Sequence, residues 1–310
     1  TVTWSPNFGY AFTAQRVRDH HLEGVNLRKI KAFWNAAERI HLDTMLAFQK
    51  KFEQFGVELS AMKTNFGCAE NVGGATFSDA NGNFVVEHVN KHKLYDEGIA
   101  IPEKATNGSS DTVAVVGVGR AYPGMSIQIQ SEDGKILPDG HVGEIALDTP
   151  SRMKGYLGNE EETNYAVRGQ FLHTGDYGDM RGKEVFWTGR VRERINLHGK
   201  KFEPSDFESV LLEIDGLRPG CFAAFGVDDE KIGTQRLVIV SEVRDSNDHP
   251  LEKLMDDVRE QVATHLGIKV DEVLLLSQGT MTKTSSGKRR HRFYRELYLD
   301  GEIHALTGLS

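Results

Sequence analysis

Two stretches of the chain hold residues whose types and spacing could do chemistry. The first is Phe171-Leu172-His173-Thr174-Gly175-Asp176-Tyr177-Gly178, followed after a short hairpin by Trp187-Thr188-Gly189-Arg190-Val191-Arg192. A carboxylate at the mouth of a Thr-Gly turn can accept two hydrogen bonds from a ribose diol. A guanidinium a few residues on can reach ribose or phosphate oxygens with its planar fork. Read alone, Asp176 fits a solvated surface hairpin better; the chemistry rests on the combination. The second stretch is Gly279-Thr280-Met281-Thr282-Lys283-Thr284-Ser285-Ser286-Gly287-Lys288, a polar loop ending in an ammonium suited to phosphoryl or carboxyl oxygens. Taken alone, with Arg289, Arg290, His291, Arg292 and Arg295 behind it, that loop reads as a basic surface tail.

The run from Phe171 to Glu208 resembles the late core motifs of the adenylate-forming superfamily, which includes acyl-CoA synthetases, luciferases, peptide-synthetase adenylation domains and fatty acyl-AMP ligases. The resemblance implies that Asp176 holds the ribose hydroxyls with Arg190 beside it. It makes Arg192 the hinge between a large domain and a small one, where Asp or Lys is commoner. Thr282 to Lys288 is similar to the family's last core motif, usually Pro-Lys-Thr-x-x-Gly-Lys, which makes Lys288 the adenylation lysine. Asn65-Phe66-Gly67-Cys68-Ala69-Glu70 resembles the Tyr-Gly-x-Thr/Ala-Glu motif. By that likeness Phe66 stacks on adenine, without the phenol's hydrogen bond, and Glu70 helps hold Mg²⁺ near the phosphates. Ala36-Ala37-Glu38 matches the segment along the other face of adenine, with Ala36 where Gly is usual. Pro6-Asn7-Phe8 resembles the fatty acyl-AMP ligase element that walls the acyl pocket, although a core-facing loop is an equal reading.

Composition bounds these readings. The 310 residues are 39% hydrophobic and 26% charged, an ordinary globular mix long enough for two domains. A net charge of -8 and the lack of an aromatic ladder among the basic residues argue against nucleic acid as a partner. Two distant cysteines, Cys68 and Cys221, argue against a disulfide scaffold or zinc site and fit a reducing, cytoplasmic compartment. No apolar run is long enough to predict a membrane span. The chain opens without Met and in mid-pattern, so a portion of something longer is expected.

The elements that must position these residues follow from periodicity. A helix is predicted over Ala11 to His20, a strand over Leu27 to Phe33, and a helix over Leu42 to Phe55 stopped by Gly56. Phe84 to Ile101 interleaves Val85, Val86, Val89, Leu94 and Ile99 with His88, Lys91, His92, Lys93 and Asp96. Its two histidines lack a third ligand on one face, which argues against a metal site. By position it resembles the insertion that sets fatty acyl-AMP ligases apart. Thr106 to Asp111 is a polar loop with no assigned chemistry. The region 112–190 reads as all-β, a small barrel or sandwich, from short apolar runs between Gly and Pro turn signals. Val142-Gly143-Glu144-Ile145 and Lys154-Gly155-Tyr156-Leu157 look like structural motifs within it. Pro204 suits a helix's first position, and Phe207, Val210, Leu211 and Ile214 make its apolar stripe. Strands at Phe222 to Val227, Leu237 to Val243 and Val273 to Leu276, with a helix stopped by Gly267, complete a compact α+β region.

The expected architecture is therefore α/β plus α+β. Region 1–111 is the late part of an acyl- and adenine-binding subdomain, 112–190 a β-barrel subdomain, and 191–310 a small mobile domain carrying Lys288. The resemblance implies a ligase that activates a fatty acid with ATP and Mg²⁺ as acyl-AMP. The acyl group then passes to the phosphopantetheine thiol of an acyl carrier protein, in lipid or polyketide biosynthesis. An acyl-CoA synthetase using CoA, and an inactive binding module of the same fold, are the alternatives. The family's upstream Ser/Thr/Gly-rich phosphate loop has no counterpart here, so the missing N-terminal portion of the same enzyme is an expected partner.

Overall fold

The computed structural model describes residues 1–104, 111–229, 234–245, 248–284 and 289–306. Thr106 to Ser110 of the polar loop, and Ser285 to Lys288 of the last motif, lie outside the described residues. The chain divides into two compact units, Thr1–Val191 and Arg192–Ser310.

The first unit begins with β1 (Val2–Ser5), α1 (Asn7–Arg16), β2 (Ala32–Asn35), α2 (Leu42–Phe52), β3 (Met62–Cys68) and β4 (Gly73–Phe77). It continues with β5 (Val86–Asn90), β6 (Thr112–Val116), β7 (Arg120–Ala121), β8 (Ser126–Gln130) and β9 (Gly143–Asp148). The last elements are α3 (Glu160–Ala166), β10 (Val167–Arg168), β11 (Phe171–Arg181) and β12 (Glu184–Arg190). One sheet runs β1-β2-β3-β4-β7, parallel across its first three strands and antiparallel beyond. Helices join the parallel strands, as parallel pairing requires. The second sheet runs β10-β11-β9-β8 with β12 on β11.

Several elements sit away from their predicted places. The first helix starts at Asn7, not Ala11, because Pro6 stands at its N-cap with extended ψ and the side chain of Glu38 accepts the Phe8 N–H. The predicted strand over Leu27 to Phe33 shifts to Ala32–Asn35. Leu27 and Ile30 pack on the core, but the Ile30 N–H closes a turn on the Leu27 carbonyl, and pairing begins only where Val2 meets Ala32. α2 lies as predicted, buries Met45, Phe48 and Phe52, and is followed by a 3₁₀ turn that ends at Gly56 in the left-handed region (φ 97°). Leu46, next to Met45 on this helix, is exposed. Region 112–190 is not all-β: Asn159 accepts the Glu162 N–H and three glutamates fill the first turn of α3. Nor do the ladders of its sheet close into a ring among the described residues.

The segment resembling an insertion is built into the core. β5 pairs β6 antiparallel, and Val89, Leu94 and Ala100 pack with Phe186 of β12. Arg181 lies over the Phe186 ring, pairs with Asp179 and also reaches Glu87 of β5. Burial pushes the Asp179 carboxyl up to about 6 against the pull of Arg181.

The second unit contains β13 (Ile195–Leu197), β14 (Lys200–Phe202), α4 (Pro204–Leu211), β15 (Leu217–Asp229), β16 (Thr234–Val243), α5 (Leu251–Leu266), β17 (Glu272–Leu276) and α6 (His291–Leu299). β15 and β16 pair antiparallel and β16 and β17 parallel, with α5 as the crossover ended by Gly267 at φ 66°. Pro204 opens α4 as predicted. Glu203 and Asp206 exchange backbone N–H and carboxylate across its first turn. α6, read from sequence as part of a basic tail, buries Tyr294 against Phe225, Val238 and Leu274 of the sheet.

Candidate active site

The Thr-Gly-Asp turn is a bulge in the long strand β11, whose register shifts between His173 and Tyr177 against β9. Gly175 takes φ 69°, a value a side chain resists. The Thr174 hydroxyl donates to the Ile145 carbonyl (2.8 Å) and accepts the Asp176 N–H (3.2 Å). Glu144, itself buried, accepts the Gly175 N–H through Oε1 (3.2 Å). Its Oε2 lies 3.0 Å from Nδ1 of buried His173 and 3.9 Å from Arg168. Glu144, expected from its motif to be structural, is an acceptor that shapes the turn holding Asp176. Glu144→Ala is expected to cost about 1–3 kcal/mol, the penalty for stranding buried donors, as read by chemical denaturation. A loss under about 0.5 kcal/mol would mean that the bulge holds itself.

Asp176 and Arg190 face each other as register partners across β11 and β12. Arg190 Nε lies 3.6 Å from Asp176 Oδ1; the carboxylate is 9% exposed and the guanidinium 54%. An arginine that exposed is screened by water, so this pair supplies little stability. Its asymmetry matters more: a shielded carboxylate with fixed direction beside a cation that can turn to a ligand.

Glu70 follows β3 in a 3₁₀ turn, Ala69–Asn71. The Tyr156 hydroxyl donates to Glu70 Oε1 (2.6 Å) and the Met153 N–H to its carbonyl (2.7 Å). The segment around Tyr156, expected to be structural only, therefore lies on the carboxylate expected to hold Mg²⁺. Burial, then the hydrogen bond to Glu70, raises the Tyr156 phenol above its ordinary range. The Cys68 thiol is pushed up to about 12, first by burial and then by the Glu70 carboxylate, with Asp176 adding to it. One thiol thus feels both carboxylates, in keeping with the packing of the Ala69–Asn71 turn against β11. Among the described residues no three His, Cys, Asp or Glu side chains form a metal cluster. A single hard carboxylate still suits Mg²⁺, which keeps several waters and leans on substrate phosphates.

The residues expected around adenine and acyl chain divide. Ala36 and Ala37 follow β2, and Ala37 is exposed with φ 73°, a strained value for a residue with Cβ. Glu38 is engaged in the first turn of α1, on the Phe8 N–H. Phe66 is 6% exposed and belongs to the core cluster, so little of its ring is open for stacking. Asn7 is a buried hydrogen-bonding hub rather than a loop wall. Its Oδ1 accepts from Asn35 Nδ2 and the His41 N–H, and its Nδ2 donates to Thr44. Phe8 packs on Phe12, with ring centroids 5.7 Å apart. Arg192 is exposed at the first position of the second unit. Lys288 lies outside the described residues.

No protein-family model matches the chain. It is 29% identical over 347 residues to the long-chain-fatty-acid–AMP ligase FadD32 of Mycobacterium marinum, an alignment covering 98% of this chain and 54% of that protein. It is also 29% identical over 325 residues to the medium-chain fatty acid–acyl-carrier-protein ligase JamA of Moorena producens, covering 98% of this chain and 53% of JamA. A solved structure from work on fatty acyl-adenylate ligases of E. coli and L. pneumophila superposes with a TM-score of 0.85 at 24% identity. That match covers 97% of this chain and 54% of that one, and it carries the fold. The chain spans about half the length of the relatives it matches.

Proposed function

Because this chain belongs to the adenylate-forming superfamily, we propose that it supplies the ribose-binding turn and the lysine-bearing domain of a ligase that converts a fatty acid and ATP to acyl-AMP. The observation that carries this reading is that the Ala69–Asn71 turn holding Glu70 packs against β11, the strand whose bulge holds Asp176. Two carboxylates from separate motifs, one suited to Mg²⁺ and one to a ribose diol, are thus carried by neighbouring elements.

In this reading the fatty carboxylate attacks the α-phosphorus of ATP. A carboxyl–phosphorus bond forms, the bond to the β-phosphate's bridging oxygen breaks, and pyrophosphate leaves. Asp176 and Arg190 fix the ribose, and the backbone at Ala36 and Ala37 lines the adenine, with Glu38 holding that wall against α1. Phe66 meets adenine with the small part of its ring that stays exposed. Asn7 and Phe8 set the acyl side by anchoring α1. Glu70 would hold Mg²⁺, whose charge would offset that of the phosphates. Lys288 brings a positive charge to the carboxylate–phosphate junction, and a hinge at Arg192 allows it to leave afterwards. Within Thr1–Val191 and Arg192–Ser310, residues 1–111 go to acyl and adenine binding, 112–190 to the ribose turn and 191–310 to the lysine.

The acceptor is read as a carrier-protein thiol, in the cytoplasm. JamA is named for such an acceptor. The two cysteines are free, and no described helix is long and apolar enough to cross a membrane. CoA is the competing acceptor.

The test is binding of a non-hydrolysable acyl-AMP analogue to the protein that carries this chain. Asp176→Ala is expected to weaken it by about 10–100-fold, the cost of two charge-assisted hydrogen bonds at about 1.5–3 kcal/mol each, less what water restores. Unchanged affinity would remove Asp176 from the site and the reading with it.

A further inference from the structure

The residues that flank Lys288 are fastened in an unusual way. Upstream, the Met281 N–H donates to Glu242 Oε1 (2.5 Å) and the Thr282 N–H to the Tyr294 hydroxyl (2.5 Å). Downstream, Arg289 Nη1 lies 3.0 Å from Glu208 Oε2, and its guanidinium stands 5.1 Å from the Phe222 ring centroid. That Oε2 has no in-line hydrogen bond, so the Arg289 contact is one of charge. Two residues on, His291 bridges two carboxylates: Nδ1 is 3.2 Å from Glu193 Oε2, and Nε2 is 2.7 Å from Glu208 Oε1. Glu208 sits on α4, only 2% exposed, and Glu193 directly follows Arg192. Arg194, next in line, is tied to Glu203 at the head of the same helix (3.1 Å).

Both oxygens facing His291 are acceptors, so both ring nitrogens must carry protons. That arrangement belongs to an imidazolium. Burial works against the charge, but Glu208 and Glu193 outweigh it and raise the His291 pKa to about 10. Two carboxylates and two cations then balance within the cluster, as buried charge requires. The three elements that meet there are α4, the start of α6 and the stretch after Arg192.

We propose that His291 is a positioning residue: by bridging Glu193 and Glu208 it fastens the exit of the Lys288 segment to the chain that follows Arg192, so that lysine and pivot move as one body. The inference rests on the function proposed above for Lys288 and Arg192. It assigns work to a residue that touches neither substrate nor reacting atoms. It also explains why a run of basic residues directly follows the lysine. Arg289 and His291 are internal partners of α4, not a surface tail.

The protein that carries this chain provides the test, through His291→Gln and the milder Glu193→Gln, whose side chain is 25% exposed and whose loss leaves the Glu208 pair intact. Two measurements are needed. In ATP–pyrophosphate exchange, His291→Gln is expected to lower kcat by about 10–100-fold, the range for losing a partner that orients a functional group. KM for ATP should stay unchanged. Placed on a Lys288→Ala background, His291→Gln should add less than about twofold, because residues acting as one unit are not additive. A full additional loss in that background, or a change confined to KM, would overturn the proposal. Separately, tryptic cutting after Lys283 and Lys288, well below the unfolding temperature, should quicken by about tenfold or more in both variants as the fastening opens. Unchanged cutting in Glu193→Gln would overturn it whether or not His291→Gln folds. If the parent protein shows no exchange at all, the functional reading fails, and the proteolysis still decides whether His291 fastens the segment.

Discussion

Replacing Lys288 by Ala in the protein that carries this chain is expected to lower acyl-AMP formation by at least about 100-fold, the scale for losing one aimed electrostatic group. The expectation follows from where charge develops. As the carboxylate attacks, negative charge gathers on the transferring phosphoryl group and on the departing pyrophosphate, and no protein bond is made or broken. Positioning and positive charge carry the rate. A point charge on a four-carbon stem suits that task, whereas a guanidinium fork would prefer a planar, bidentate partner. Lys283, five residues upstream, provides the control. Its ammonium lies close enough to Cys221 to oppose the upward push of burial on that buried thiol, so it already has a place in its own unit. Lys283→Ala should leave exchange within about threefold, the range for substitutions away from the chemistry. Wild-type exchange in Lys288→Ala would end the assignment of that lysine. A large loss in Lys283→Ala would transfer the role five residues upstream.

The free CoA question needs an experiment that respects packing. Excising Phe84 to Ile101, which resembles the insertion that sets fatty acyl-AMP ligases apart, is the direct way to ask whether the segment restricts the acceptor. The structure makes that deletion costly, since it strips Val89, Leu94 and Ala100 from their cluster with Phe186 and unpairs β6. Glu87→Gln, which weakens the contact to Arg181 while leaving the Asp179 pair, loosens the same segment and keeps its core.

What sequence could show divides along sequence separation. Local chemistry was legible where it acts within a few residues. Gly56 and Gly267 end their helices in the left-handed region because no Cβ opposes it, and Pro204 opens α4 because its missing N–H is wanted by no partner there. Apolar spacing found α2, α4 and α5. The first helix and second strand were misplaced because their edges are set by partners far along the chain: Glu38 holding Phe8, and Val2 pairing Ala32. The supports of the candidate site were hidden for the same reason. Tyr156 reaches Glu70 across 86 positions, His173 reaches Glu144 across 29 and His291 reaches Glu208 across 83. No periodicity reports such pairs. α6 is a different case. Phe293, Tyr294, Leu297 and Tyr298 form a helical stripe in plain view, and all four pack with the β15–β17 sheet. The arginines among them give the same stretch the charge of a surface tail.

Those arginines and His291 carry the largest expected effect on stability. Glu208→Ala should cost the second unit about 3–5 kcal/mol, because it leaves Arg289 and a protonated His291 without their shared counter-charge. Glu208→Gln, which keeps an acceptor of the same shape, should cost less. The pH dependence follows from two signs. Burial raises the Glu208 pKa, but Arg289 and His291 overcome it and hold the carboxyl below its ordinary range. Its contribution is present above the unfolded value near 4.5 and is lost as pH falls through the lower folded value. The His291 pKa is raised, so its contribution is complete below about 6.5 and is lost as pH rises toward about 10. The wild-type unit should therefore weaken on both sides of neutrality. In Glu208→Ala the alkaline decline should flatten, since one of the two carboxylates holding that proton is gone. Tryptophan fluorescence cannot follow this. The three tryptophans, Trp4, Trp34 and Trp187, all lie in the first unit. Hydrogen exchange of the β15–β17 amides between pH 6 and about 10, corrected for the intrinsic exchange rate, reads the second unit alone. An alkaline decline that persists undiminished in Glu208→Ala would show that His291 owes its proton to Glu193 or to another group, and would leave Glu208 as a partner of Arg289 only.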